Sequence, residues 1–199
     1  FDDVLERARQ LDFNENAPIA IQFRRPIYLS TEYVADFQIA AYYSSYSDMF
    51  DKRVALGNSS GGQLPIVCDQ ALVVRNVPVN DGGGLDDTSI MTTRFCNLNE
   101  GNTLRSAFNR MLDVTANYER DAENTTAVQI WTQGLGGPVN PPWDFMMALV
   151  GTDRQELAQR MDLAREGYRG GRGNGWALGG FTCTRQALWS TNRVYSENN

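Results

Sequence analysis

The spacing of hydrophobic residues in the first third of the chain predicts a helix, a strand and a second helix. Apolar residues recur every three or four positions over residues 2–11, which indicates a short helix. An alternating run over residues 19–23 predicts a strand that Pro26 stops or confines to a sheet edge. A helix is expected from about residue 31 to 54, because residues 37–43 are apolar or aromatic on nearly every side.

The rest of the chain contains one strongly patterned helix among shorter elements. A helix opened by Asn102 carries its apolar face at Leu104, Phe108, Met111, Leu112, Thr115 and Tyr118. Strands are predicted around residues 71–74, 89–95 and 126–132. Residues 143–150 are predicted to be a short helix, and Thr152 with Gln155 predicts a capping box at the start of another.

These elements predict an α+β fold: a helix-rich single domain with a small, mostly antiparallel sheet and long irregular loops. Residues 1–168 are expected to form the globular core. Residues 169–199 are rich in glycine and aromatic residues, and we expect this segment to pack on the core or on a neighbouring subunit.

Composition excludes several kinds of chemistry. The 199 residues include no histidine, and Lys52 is the only lysine. Ser-His-Asp and Cys-His mechanisms and histidine-bound metals are therefore excluded, and no phosphate-binding glycine motif suggests a nucleotide. We expect no cofactor. The net charge of −6 disfavours nucleic acid, although residues 169–173 resemble a single RGG unit.

The cysteines suggest an oxidising compartment. Cys68, Cys96 and Cys183 form no CxxC spacing, so one disulfide and one free thiol are expected, with three pairings open. Asn58 and Asn124 match the glycosylation sequon, and the chain does not begin with methionine. We therefore expect an extracytoplasmic or secreted protein, with no membrane span in this chain.

Acidic residues offer two candidate sites. Asp81, Asp86 and Asp87 surround three glycines and are candidate calcium ligands, the alternative being a solvated turn. A pair of carboxylates could also act as acid and nucleophile on a glycoside, but no spacing selects a pair. The eligible residues are Asp36, Asp48, Asp113, Glu119 and Asp144.

The chain's four tryptophans, eight tyrosines and many arginines resemble the composition of protein interfaces. The candidates are Trp143, Trp176, Phe181, Trp189, Tyr195, Arg169 and Arg172. The alternative is that these rings fill a single large core from irregular segments.

Taken together, these features predict a non-catalytic structural or assembly subunit outside the cytoplasm. A pilus or filament subunit, a secretion-system component and a virion protein all fit this expectation. Its partners would be other protein subunits, identical or different, with a glycan as a further candidate. The alternatives from other classes are a carboxylate-dependent hydrolase, such as a glycosidase, and a monomeric ligand-binding module.

Overall fold

The computed structural model describes residues 1–13, 15–29, 36–57, 64–68, 71–81, 87–165 and 180–197. Within these residues seven strands form one sheet in the order β2-β1-β7-β4-β6-β5-β3, and every neighbouring pair is antiparallel. The elements are α1 (Asp2–Arg9), β1 (Ala20–Tyr28), β2 (Gln38–Tyr42), α2 (Tyr46–Gly57), β3 (Leu72–Pro78), β4 (Thr88–Leu98), α3 (Leu104–Ala122), β5 (Ala127–Gly136), β6 (Phe145–Gly151), α4 (Arg154–Arg165) and β7 (Phe181–Ser196).

The prediction of a helix-rich fold with a small sheet is wrong, because strands dominate the described residues. Residues 38–42 form β2, whose burial alternates with the period of two that a half-exposed strand requires. Residues 145–151 form β6 instead of a helix. Every residue of β6 is buried, so its sequence is a continuous apolar run that periodicity alone cannot distinguish from a buried helix.

The longest strand, β7, comes from the predicted C-terminal segment 169–199. Within that segment the structure describes residues 180–197, and β7 lies in the sheet between β1 and β4. It pairs with β1 from Leu188 to Ser196 and with β4 from Phe181 to Asn192. β7 therefore connects the β1–β2 hairpin to the rest of the sheet.

Predicted element boundaries were displaced by one residue at two helix starts. α3 is capped by Thr103 rather than Asn102, through a capping box with Ser106. At α4, Asp153 accepts the backbone N–H groups of Gln155 and Glu156, the first of which the predicted Thr152–Gln155 box would have bound. Side chains compete for the same free N–H groups in the first turn, so sequence alone does not select the capping residue.

Pro26 occupies an edge position, as predicted. Among the described residues, β2 pairs with β1 only over Ala20–Arg24, whereas Pro26 pairs with β7 alone. One side of β1 is therefore free of a neighbouring strand at the proline, where a missing backbone donor breaks no ladder.

Helices cover one face of the sheet. Phe145 and Met147 of β6 pack in the same cluster as Met111 of α3 and Leu157 of α4. On the same side, α1 packs near β1 through a smaller cluster that includes Phe23. The opposite face has its own core, which begins with the alternate β6 residues Met146, Ala148 and Val150.

The sheet is strongly curved, with the face opposite the helices on the inside. Three strands separate β1 from β5 in the strand order. In a flat sheet these two strands would be about 19 Å apart, at about 4.8 Å per step. The Arg24 guanidinium of β1 nevertheless lies 4.9 Å from the Trp131 ring of β5. The sheet therefore forms a half-barrel, and its concave face carries the candidate site.

Candidate functional site

The concave face is lined by large aromatic and sulfur-containing side chains. The buried members of this cluster are Trp131, Trp143, Trp189, Met91 and Met146. Trp143 precedes β6 and packs 5.5 Å from the ring of Phe95. The indole N–H of Trp189 donates to the Thr93 hydroxyl at 2.9 Å, which satisfies the polar group of the largest fully buried side chain.

One arginine lies among these rings, and the group Gln22, Arg24, Tyr42 and Trp131 is called the Arg24 site below. Arg24 is 6% exposed, and its Nη2 donates to the Tyr42 hydroxyl at 2.6 Å. That hydroxyl donates to Oε1 of Gln22 at 3.1 Å. The guanidinium also contacts the Trp131 ring, whose indole N–H is bound by Gln129.

The charge of Arg24 has no counterion among the described residues. Its hydrogen-bond partner is a neutral hydroxyl, and its Nε is buried with no acceptor in the described part of the chain. Two arginines that are more accessible than Arg24 are paired: Arg193 with Asp87 and Arg120 with Asp121. A buried cation needs such compensation far more than an exposed one, because burial removes its hydration.

A second surface lies at the β3 edge of the sheet and is called the β3 edge surface below. In the described residues β3 pairs only with β5, so its other side is an open edge. Four large side chains near this edge are solvent-exposed: Tyr46, Phe50, Leu72 and Leu135. Gly134 leaves room for the Tyr46 side chain, because a Cβ at that position would overlap the Tyr46 hydroxyl oxygen.

Two ionisable groups have shifted pKa values. The backbone N–H of Ser44 and the ammonium of Lys52 lower the pKa of the Asp48 carboxyl at the start of α2. The stabilisation that Asp48 provides is therefore complete at neutral pH and is lost as the pH falls through its lowered pKa. Burial lowers the pKa of the Arg94 guanidinium on β4 by desolvation.

The predicted interface residues fall into three groups. Phe181, Trp143 and Trp189 are buried in the chain's own core, which favours the alternative that these rings fill the core. Tyr195 is half-buried and stacks on Phe13 with ring centroids 4.5 Å apart. Trp176, Arg169 and Arg172 lie outside the described residues.

The cysteines form one disulfide, between Cys96 and Cys183. These residues are directly opposite each other on β4 and β7, so the bond links neighbouring strands near the start of β7. Cys68 is a free, exposed thiol. The structure thus selects one of the three pairings that the sequence left open.

We expect the intact mass of the native protein to be about 2 Da below that of the fully reduced chain, because one disulfide removes two hydrogens. Alkylation without reduction should label one cysteine, and peptide mapping should find the label on Cys68. Cys68→Ser should remove the labelling and leave the mass difference unchanged. Three labelled thiols would contradict the pairing.

The acidic candidates are not assembled into a metal site among the described residues. Asp81 and Asp87 are exposed, Asp87 pairs with Arg193, and Asp86 lies outside the described residues. Within that part of the chain, no three His, Cys, Asp or Glu side chains form a group suited to a metal.

The carboxylates that the sequence offered for a hydrolytic pair have different neighbours in the structure. Asp144 accepts the backbone N–H of Leu98 at 2.7 Å, and Asp48 is held by Ser44 and Lys52. The remaining three are solvent-exposed: Asp36, Asp113 and Glu119.

The Asn124 sequon is structural. Asn124 is fully buried, and its Nδ2, the atom that would carry a glycan, donates to Glu156 O and Gln159 Oε1. These bonds tie the end of α3 to α4. The folded chain therefore does not present Asn124 to a glycosylating enzyme, while Asn58 lies outside the described residues.

Sequence reasoning missed the Arg24 site. Gln22 and Arg24 alternate with Ile21 and Phe23, which is the pattern of a strand with one face in solvent. Curvature of the sheet buries that polar face instead. The available signal was the alternation itself, which placed Gln22 and Arg24 on one side of β1.

No family model, curated protein or solved structure matches this chain. Within the described residues, no helix has both the length and the apolar character needed to cross a membrane. Function is therefore inferred from the contacts, burial and charge of the described side chains.

Proposed function

We propose that the chain is a non-catalytic subunit of a larger protein assembly and that it joins a second copy of itself through the β3 edge surface. The observation that carries this proposal is the open edge of β3 beside four exposed apolar side chains. Unpaired strand edges offer backbone donors and acceptors to another chain, and exposed apolar patches next to them favour association.

A second copy is the partner that the geometry favours. A two-fold axis beside β3 brings the same strand of two copies together in antiparallel orientation, which continues the pairing found throughout the sheet. Leu72 and Leu135 lie near the edge, so the contact would bury apolar side chains from both copies. The result would be a continuous fourteen-stranded sheet.

The proposal includes an extracytoplasmic location. The Cys96–Cys183 disulfide supports it, since structural disulfides persist in oxidising compartments. A pilus or filament subunit, a secretion-system component and a virion protein are the assemblies that we consider. A ligand-binding role is supported by a separate observation, the buried charge of Arg24.

We expect the purified chain to dimerise in a concentration-dependent manner and the double variant Leu72→Lys/Leu135→Lys to be monomeric. Two lysines per copy would place like charges in an apolar contact and raise the dissociation constant by at least about 100-fold, at about 1.4 kcal/mol per factor of ten. Light scattering behind a sizing column, over a concentration series, measures both proteins.

Leu112→Lys is the matched control. Leu112 lies on α3 and is 39% exposed, against 40% for Leu72, so it introduces the same charge at the same exposure away from β3. It should dimerise like the unmodified chain. A chain that stays monomeric at every concentration, or a double variant that still dimerises, would contradict the β3 contact.

A further inference from the structure

The Arg24 site points to a ligand, and we propose that it binds a monocarboxylate whose apolar part packs against Trp131. The inference is independent of the β3 edge surface, since it concerns the concave face and a different observation. It rests on three properties of the site: a buried charge, free hydrogen-bond donors, and an aromatic surface beside them.

The first property is the uncompensated charge. Arg24 is more than nine-tenths buried, and its partners among the described residues are a hydroxyl and an indole ring. Neither carries a negative charge. A buried guanidinium loses its hydration and gains full compensation only from an anion, so the site as described is less favourable than a site with an anion bound.

The second property is the set of free donors. Nη2 of Arg24 is used by Tyr42, while Nε is buried and has no hydrogen-bond acceptor among the described residues. The Gln22 amide accepts from Tyr42 through Oε1, which leaves its N–H groups directed elsewhere. Tyr42 and Gln22 thus fix the arginine from one side, and its remaining donors suit the planar oxygens of a carboxylate.

The single charge of the site and its third property, the aromatic surface, together decide the class of ligand. One positive charge balances one negative charge, and Arg24 is the only charged side chain among the described residues that forms the site. A phosphate dianion would leave a net buried negative charge, whereas a monocarboxylate leaves none. The Trp131 ring, whose centroid lies 4.9 Å from the guanidinium carbon, is the apolar contact that the site offers to the rest of the ligand.

Benzoate and its neutral isostere benzamide test the site in the unmodified chain. We expect benzoate to bind saturably by titration calorimetry, about 10–100-fold more tightly than benzamide, as the gain from a charged hydrogen bond predicts. Benzoate should also raise the melting temperature in a concentration-dependent manner. Equal binding of the two compounds, or none, would overturn the proposal without any variant.

Arg24→Met separates a binding arginine from a structural one. If Arg24 binds the carboxylate of a ligand, replacing it by an apolar side chain of similar length should abolish the preference for benzoate over benzamide. It should also raise the melting temperature of the unliganded chain by about 2–4 °C or more. A variant that melts lower or fails to fold would show that Arg24 is structural and would overturn the proposal.

Two controls locate the effect and the source of the carboxylate. Arg25→Met removes the neighbouring, exposed arginine and should leave benzoate binding unchanged, as should the Leu72→Lys/Leu135→Lys variant. An acetylated dipeptide ending in Phe, with a free or amidated C-terminus, distinguishes a peptide carboxylate from a small acid. Tighter binding of the free-acid peptide than of benzoate would assign a chain terminus, and weaker binding a small molecule.

Discussion

Truncation of the chain after Gly180 is expected to abolish cooperative folding. The deletion removes β7, which lies between β1 and β4 and pairs with β1 over Leu188–Ser196 and with β4 over Phe181–Asn192. It also removes Phe181, Ala187 and Trp189 from the buried cores, and Cys183 from the disulfide. The free energy of the lost contacts exceeds the net stability of an ordinary domain, which is about 5–15 kcal/mol. We therefore expect that the remaining chain does not fold.

The measurement is a thermal unfolding transition by near-ultraviolet circular dichroism, with amide dispersion by NMR. We expect the truncated chain to show neither a transition nor dispersed signals. A control truncated after Glu197 retains all of β7 and should unfold like the full chain. A chain ending at Gly180 that still unfolded cooperatively would show that β7 adds to a completed core, as expected of a segment reserved for a partner.

Local patterns predicted the elements whose burial follows a simple period. The amphipathic face of α3 placed Met111 and Tyr118 in the core, and both are buried. The strands at β3, β4 and β5 were also located from sequence, because β-branched residues recur there between turn signals. These elements needed no information from distant residues.

Elements that depend on distant partners were the ones missed. β6 is buried on both faces by neighbours in the sheet and by two cores, so its apolar sequence carries no period. β7 follows a glycine-rich stretch, and its polar residues conceal an alternation that places Ala187, Trp189 and Thr191 in the interior. That segment is a strand because it pairs with β1 and β4. Pairing between segments so far apart in the chain cannot be predicted from local sequence.

The candidate site was missed for a related reason. The sequence suggested interface residues and a glycine-rich C-terminal segment, whereas the Arg24 site joins β1, β2 and β5 across the curved sheet. Curvature converts an ordinary polar strand face into a buried one. Such a site becomes visible only when the strand order is known, since Arg24 and Trp131 are more than one hundred residues apart in sequence.

Trp189→Ala is expected to lower the free energy of unfolding by about 3–5 kcal/mol, the range for removal of a buried tryptophan. Trp189 is 0% exposed and lies on β7, an inner strand of the sheet, where the surrounding structure leaves little room for collapse. For a chain of this size the melting temperature should fall by roughly 6–20 °C. Chemical denaturation with an unchanged m-value would confirm loss of stability rather than loss of the fold.

Two further variants separate the contribution of the Trp189 hydrogen bond from a loss of association. They are Trp189→Phe and Phe50→Ala. Trp189→Phe keeps most of the ring but removes the N–H that donates to Thr93, so about 1–3 kcal/mol should be lost. Phe50→Ala removes an exposed ring from the β3 edge surface and should weaken dimerisation with little change in stability. A Trp189→Ala chain that kept its stability but failed to associate would instead make Trp189 an interface residue. The two tryptophan roles predicted from sequence therefore differ in which measured quantity changes, the free energy of unfolding or the dissociation constant.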